Sequence, residues 1–264
     1  MIRFVKEEEV PELLSFLKED VENCIYLYTD VFTYGLENPN MKVWVEDRDG
    51  EYKCVIMKYH DSYQLYSRNE DWDVDGVIGI LNEYPATVIN GKKDMIERLY
   101  PYYQDSYRTI FGAVMRLNSV LDFPEMEYCE MATLDDVDEI AQIIVEDVYY
   151  KDYYTKEELA KQLRERMTTG MGRSAIIRRD GKIVAHVASF TEADGIAVSS
   201  GTIAKVEYRG HKYGIAVESY LNKVMNSLGY KWFGFILEQD RIELFERLGN
   251  KTVALYGKLV KLAD

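Results

Sequence analysis

From Thr133 to Leu262 the chain switches repeatedly between two hydrophobic periodicities, and this alternation restricts the fold more than any other feature. Thr133-Leu-Asp-Asp136 has the pattern of a capping box, in which side chains satisfy the first amides of a helix. Val137, Ile140, Ala141, Ile144 and Val148 follow on one helical face. Thr155-Lys-Glu-Glu158 repeats the signal ahead of Leu159, Leu163 and Met167. Ser174–Arg179 and Lys182–Phe190 read as strands joined through Asp180-Gly181, a dipeptide suited to a tight hairpin. A strand is expected over Gly195–Val206, a helix over Tyr213–Leu228 and a strand over Trp232–Leu237. A helix over Asp240–Leu248 and a last strand over Thr252–Leu262 complete the series. That order describes a mixed α/β domain with a mainly antiparallel sheet flanked by helices.

The first half reads as a smaller α/β domain. Leu13, Leu14, Leu17, Val21 and Ile25 recur at helical spacing, so one amphipathic helix is expected from Val10 to about Tyr28. Met41–Asp47 and Tyr52–Tyr59 read as a hairpin through Arg48-Asp49-Gly50, and Tyr63–Ser67 as a third strand. A short helix over Trp72–Leu81, a strand over Tyr84–Asn90 and a helix from Lys93 that stops before Pro101 follow. Tyr107–Leu117 leads to Asp122-Phe123-Pro124-Glu125, taken as the linker. The expected domains are therefore residues 1–124 and 125–264. The two halves share a DG hairpin and an Asp-x-Ile-Glu helix in the same order, which fits either a degenerate duplication or chance.

At 264 residues the chain accommodates two domains of about 130 residues each. A formal charge of −14 repels nucleic acid and anionic lipid, so neither is an expected partner. Cys24, Cys54 and Cys129 are dispersed, form no metal-ligand spacing and are odd in number. With acidic residues directly after Met1-Ile-Arg-Phe-Val-Lys and no apolar run of membrane-spanning length, a cytoplasmic setting and no metal are expected.

Gly201-Thr-Ile-Ala-Lys-Val-Glu-Tyr-Arg-Gly-His-Lys-Tyr-Gly214 runs from a strand through a turn into a helix. A helix start leaves backbone N–H groups unpaired and carries partial positive charge, which suits a diphosphate. Gly210 and Gly214 permit close backbone approach, and Arg209, His211 and Lys212 reverse the sign of an acidic chain locally. These residues alone fit a phosphate cradle or a surface turn with incidental basic groups equally well.

Arg209-Gly-His-Lys-Tyr-Gly214 resembles the acetyl-CoA loop of the GNAT N-acyltransferase superfamily, whose form is Q/R-x-x-G-x-G/A. Ile242-Glu-Leu-Phe-Glu-Arg-Leu-Gly249 is similar to that family's closing helix. The resemblance covers the second half of the chain. It implies a GNAT fold there and acetyl-CoA as cosubstrate, held by Ala204, Lys205, Val206, Arg209, Gly210, His211, Lys212, Tyr213 and Gly214. It also implies direct attack on the thioester by a primary amine of a small molecule or peptide. Lys212 stands at the family's first loop glycine, and would carry about 1–2 kcal/mol of strain if its φ is positive. Phe245 stands where many members place an acidic tyrosine, and Glu238 replaces an Asn.

An alkyl amine costs roughly 4–5 kcal/mol to deprotonate at neutral pH, so a base is required. Glu192 and Glu238 are the carboxylates retained as candidates, and Tyr256 is a candidate replacement for the missing phenol. Asp194 and His186 fit less well, as a surface acid and a packed histidine. Asp147, Tyr150 and Asp152, in an acidic and aromatic stretch, are candidates for gripping a cationic acceptor. Two readings remain: an active N-acetyltransferase, or a CoA-binding or interaction module with impaired catalysis.

Overall fold

The computed structural model describes residues 1–119, 121–147 and 155–262. In chain order its elements are β1 (Ile2–Phe4), α1 (Val10–Lys18), α2 (Ile25–Tyr34), β2 (Met41–Arg48), β3 (Glu51–Tyr59) and β4 (Ser62–Tyr66). Then come α3 (Val74–Glu83), β5 (Val88–Lys92), α4 (Lys93–Tyr103), β6 (Tyr107–Arg116), β7 (Cys129–Met131), α5 (Val137–Glu146) and α6 (Lys156–Thr169). The series closes with β8 (Ser174–Arg179), β9 (Lys182–Ala193), β10 (Ile196–Ala204), α7 (Tyr213–Ser227), β11 (Lys231–Ile236), α8 (Gln239–Arg247) and β12 (Lys251–Lys261).

The chain divides into two compact units. Unit 1 comprises Met1–Met115, Ile236–Glu243 and Thr252–Asp264, and unit 2 comprises Arg116–Phe235 and Leu244–Lys251. Within unit 1 the strand order is β1-β2-β3-β4-β5-β12-β6, and within unit 2 it is β11-β10-β9-β8-β7. The pairs β1–β2, β2–β3, β3–β4, β5–β12, β10–β9, β9–β8 and β8–β7 are antiparallel, while β4–β5 and β10–β11, each joined through a crossing helix, run parallel. The mainly antiparallel α/β plan expected from the sequence is the plan found.

A single cut near residue 124 would put the last strand in the second domain. Instead β12 pairs with β5 in unit 1, with Tyr256 opposite Lys92 and Leu259 opposite Ile89. Fully buried Leu259 joins the core that Ile56, Leu65, Ile89, Ile96 and Leu99 form. Lys261 N–H bonds to Thr87 O at 2.8 Å, and Leu262 N–H to Ser106 O at 2.8 Å. The strand's sequence pattern was readable, but its partner was not, because alternation specifies a face and not a neighbour.

Two helices also differ from expectation. The stretch expected as one helix over Val10–Tyr28 is two, separated by a 3-10 turn at Val21–Asn23. Asp20 at φ −134° and Cys24 at φ −147° leave helical geometry, Asp20 Oδ1 accepts from Asn23 Nδ2 at 2.8 Å, and the Asn23 backbone N–H bonds to Asp20 O at 3.0 Å. The break lets Leu13, Leu17, Ile25, Leu27 and Tyr28 all be buried. Helix α4 runs through Pro101 to Tyr103; proline there removes one backbone bond and crowds the carbonyl four residues earlier, so the cost falls on the helix's closing turn and not on its middle.

In unit 2, Thr155 Oγ1 accepts from Glu158 N–H while the Glu158 carboxylate accepts from Thr155 N–H, the reciprocal cap expected. At Thr133 the Asp136 carboxylate accepts from both Thr133 N–H, at 2.8 Å, and Thr133 Oγ1, at 3.0 Å, while the Asp136 amide bonds to the Thr133 carbonyl. Val137, Ile140 and Ile144 of α5 pack with Leu159 and Leu163 of α6 on Ile176, Ile183 and Ile203, covering one face of the sheet. The opposite face carries α7, whose Ala216, Val217 and Leu221 are fully buried.

Candidate functional site

Strand β10 pairs with β11 only from Ile196 to Ser199, then continues to Ala204 while keeping its other neighbour, β9. The two parallel strands thus part company after Ser199. At the same place β10 bulges. Ser200 faces Ala188 and Ile203 faces His186, so β10 takes three steps where β9 takes two. Gly201 sits in this bulge at φ +65°, a conformation that favours glycine, and a Cβ there would lie 3.4 Å from His186 Cε1.

The bulge is gripped from both faces. On the α5–α6 face, fully buried His186 donates from Nδ1 to Gly201 O at 3.0 Å. A carbonyl can only accept, so Nδ1 carries the hydrogen and Nε2 accepts from Ser174 Oγ at 3.2 Å. Burial pushes the His186 pKa down to about 4, so the ring is neutral at ordinary pH. On the α7 face, buried Glu218 accepts hydrogen bonds from Ser199 Oγ at 2.8 Å and from Thr202 Oγ1.

Past Ala204 the chain makes a 3-10 turn at Val206–Tyr208 and enters α7. This turn uses several amides: Lys205 N–H bonds to Val184 O, Tyr208 N–H to Lys205 O and Arg209 N–H to Val206 O. The next four residues are Gly210 at φ +86°, His211, Lys212 at φ +59° and Tyr213. The bond from Ala216 N–H to Lys212 O, 2.9 Å, opens the helix. The amides of Tyr213, Gly214 and Ile215 stand ahead of it, where no preceding turn supplies a carbonyl. Of the expected cofactor residues, Arg209 to Gly214 therefore form a basic helix entrance fit for a diphosphate. Ala204, Lys205 and Val206 lie on the approach to it, with the Lys205 amide committed to the sheet.

Arg209 does not stand free. Its Nη2 lies 3.1 Å from Oδ2 of Asp147, a nearly buried carboxylate at the end of α5, and its Nε donates to Ala204 O at 3.3 Å. Asp147 was expected to hold an acceptor amine; here it holds the loop's arginine. Tyr150 and Asp152, expected beside it, lie outside the described residues. Tyr208, Tyr213 and His211 gather as rings over the loop, with centroids 6.3 Å and 5.7 Å from Tyr213. Arg179, which sequence reasoning missed, belongs to the same end of the sheet: Tyr128 and then Tyr213 raise its pKa. Only the pairing register, which brings the ends of β8 and β10 to one edge, could have found it.

The proton-carrier candidates are dispersed. Glu192 is closed off in unit 2, its side chain fully buried, paired with Arg173 and accepting from Ser189 Oγ at 2.5 Å. That is the arrangement of a structural ion pair rather than of an accessible base. Phe245 lies buried on α8, and with Ser119, Ile215, Glu218 and Asn222 it lines a small cleft of unit 2. In unit 1, Glu238 precedes α8 with its side chain about one-third exposed (36%), 3.8 Å from Arg241. Tyr256 is buried on β12 against Gly112, and burial, with lesser contributions from Tyr26 and Glu238, raises its phenol pKa. Glu238 thus keeps the access a base needs, while Tyr256 holds its proton firmly. Among the described residues no group of three or more His, Cys, Asp or Glu side chains could hold a metal ion, and no helix is long and apolar enough to cross a membrane.

No family model matches the chain, and no curated protein does. Solved structures do match over its whole length. A Drosophila protein is 13% identical, with 99% of this chain and 98% of that one covered and a TM-score of 0.70. A GCN5-related N-acetyltransferase from Sphaerobacter thermophilus is 16% identical over 99% and 95%, with a TM-score of 0.67. A tandem GNAT protein from the clavulanic acid biosynthesis pathway is 12% identical over all of both chains, with a TM-score of 0.61. At these identities the likeness is one of fold, and the fold is that of the GNAT superfamily.

Proposed function

We propose that the chain is an N-acyltransferase that takes acetyl-CoA as donor and a primary amine of a small molecule or peptide as acceptor. The observation that carries this reading is the parting of β10 from β11 after Ser199, on the strand that leads into the basic entrance of α7. A parted strand exposes backbone amides to a thioester arm, and a helix entrance with positive-φ glycine and basic side chains accepts a diphosphate. The donor supplies the acyl group. Arg209, Lys212 and the amides from Gly210 to Ile215 are the groups that would hold its phosphates.

Unit 1 supports a single donor site per chain. Its helix α3 follows a parallel strand just as α7 does, but its N-cap is Asp73, which accepts from Gly76 N–H at 3.0 Å. A carboxylate already fills that helix entrance and would repel phosphate. The dispersed free cysteines fit a cytoplasmic setting.

A release assay that follows free CoA thiol over a panel of primary amines tests the proposal, with Arg209→Glu as control. Amine-dependent release is expected, together with CoA binding weakened by about 1–3 kcal/mol in the variant. Phe245 favours a second reading, a protein that binds CoA without transferring its acyl group. That reading predicts binding in calorimetry with no amine-dependent release.

A further inference from the structure

We infer that Glu218 is a positioning residue that sets the opening between β10 and β11, an inference that rests on the acyltransferase reading for its catalytic consequence. Three observations carry it. Ser199 is the last residue of β10 in register with β11, and Thr202 lies on the part that has left. Residues three apart on a regular strand face opposite sides of a sheet, but the extra residue of the bulge returns Thr202 to the side of Ser199. One carboxylate, from one turn of α7, accepts from both hydroxyls and so spans the point of separation.

A buried carboxylate at this position is costly to keep, since an apolar side chain would pack there without desolvating a charge. What the carboxylate adds is geometry. Both hydroxyls are turned toward α7, and the bulge between them cannot relax back into register with β11 without giving up an acceptor. His186 holds the same bulge from the other face through Gly201 O. The peptide groups between Ser199 and Ile203 are therefore fixed by bonds from two sides, on the strand whose amides would face a thioester carbonyl. Small displacements of such groups are strongly felt in catalysis.

Glu218→Gln and the double variant Ser199→Ala with Thr202→Val test the inference in two measurements. Amide hydrogen exchange should quicken for residues 199–204 in both variants, with the α5–α6 core unchanged; unaltered exchange there overturns the clamp, whatever the enzyme's activity. In the thiol-release assay kcat should fall roughly tenfold to a hundredfold while KM for acetyl-CoA stays within about threefold, and combining all three substitutions should cost no more than either variant. Equal losses in kcat and in stability across the unit, or additive losses, overturn the positioning role. If the unaltered protein releases no thiol with any amine, the acyltransferase reading fails instead, and exchange alone judges the clamp. Should Glu218→Gln fail to fold, Thr202→Val alone, which retains the carboxylate, gives the same exchange readout.

Discussion

Arg209 and Asp147 face each other across 3.1 Å, an exposed guanidinium against a nearly buried carboxylate. The carboxylate aims the arginine, and it also contributes a negative charge where a diphosphate would approach. Replacing it by the neutral amide should tighten CoA binding several-fold, since a competing acceptor and a repulsion are removed together. Calorimetry on Asp147→Asn measures this. Weaker binding would show that orienting the guanidinium outweighs competing for it, and an altered acceptor KM with unaltered CoA affinity would return Asp147 to the acceptor.

Lys212 occupies φ +59°, a left-handed conformation that costs a side chain about 1 kcal/mol or more, while glycine adopts it freely. Lys212→Gly should therefore raise stability by roughly 0.5–1 kcal/mol once the larger unfolded-state entropy of glycine is subtracted. Chemical denaturation gives the sign. A loss of CoA affinity in the same variant identifies the ammonium as a phosphate ligand, and unchanged affinity leaves the residue without a functional reason for its strain.

His186 makes stability depend on pH. Its folded pKa lies near 4, below the ordinary value of 6.5, so between those values the unfolded chain binds a proton that the folded chain does not. The contribution is complete above about pH 6.5, declines as pH falls and levels off below about pH 4. The total is on the order of 3 kcal/mol. Denaturation midpoints across this range should show a slope that His186→Gln lacks.

Strand β12 should matter most to the unit that begins the chain. Leu259→Ala removes a fully buried side chain from the core around Ile89 and Ile96, and a loss of about 2–5 kcal/mol is expected. Exchange of the β5 amides, Val88 to Lys92, should quicken first. Faster exchange confined to β10 and β11 would contradict the assignment of β12 to unit 1.

Much of the fold was legible because each element announces itself locally. Thr155 and Glu158 mark a helix start by their own hydrogen bonds, and Asp180-Gly181 adopts the positive φ angles, 50° and 77°, that a tight hairpin demands. The basic turn was legible for the same reason, and the fold likeness agrees with the family its residues suggested. What escaped the sequence depends on contacts between distant positions. Nothing in Glu218 distinguishes it from a solvated acid on a helix until the bulge sets Ser199 and Thr202 against it. Glu192 read as an available base because its burial with Arg173 and Ser189 is a tertiary fact. Asp147 was read as an acceptor contact because its partner lies 62 positions away.

The place of β12 carries a consequence for biosynthesis. A ribosome delivers residues 1–115 well before β12, so the strand lying between β5 and β6 is made only after Arg116–Phe235 of unit 2 has been translated. Until β12 has emerged, the nascent residues 1–115 expose the sheet edge that it will cover, an edge open to pairing with other chains. Synthesis therefore seals unit 1 only after most of unit 2 has been made, and translation products that stop short of β12 should be the species most in need of chaperones.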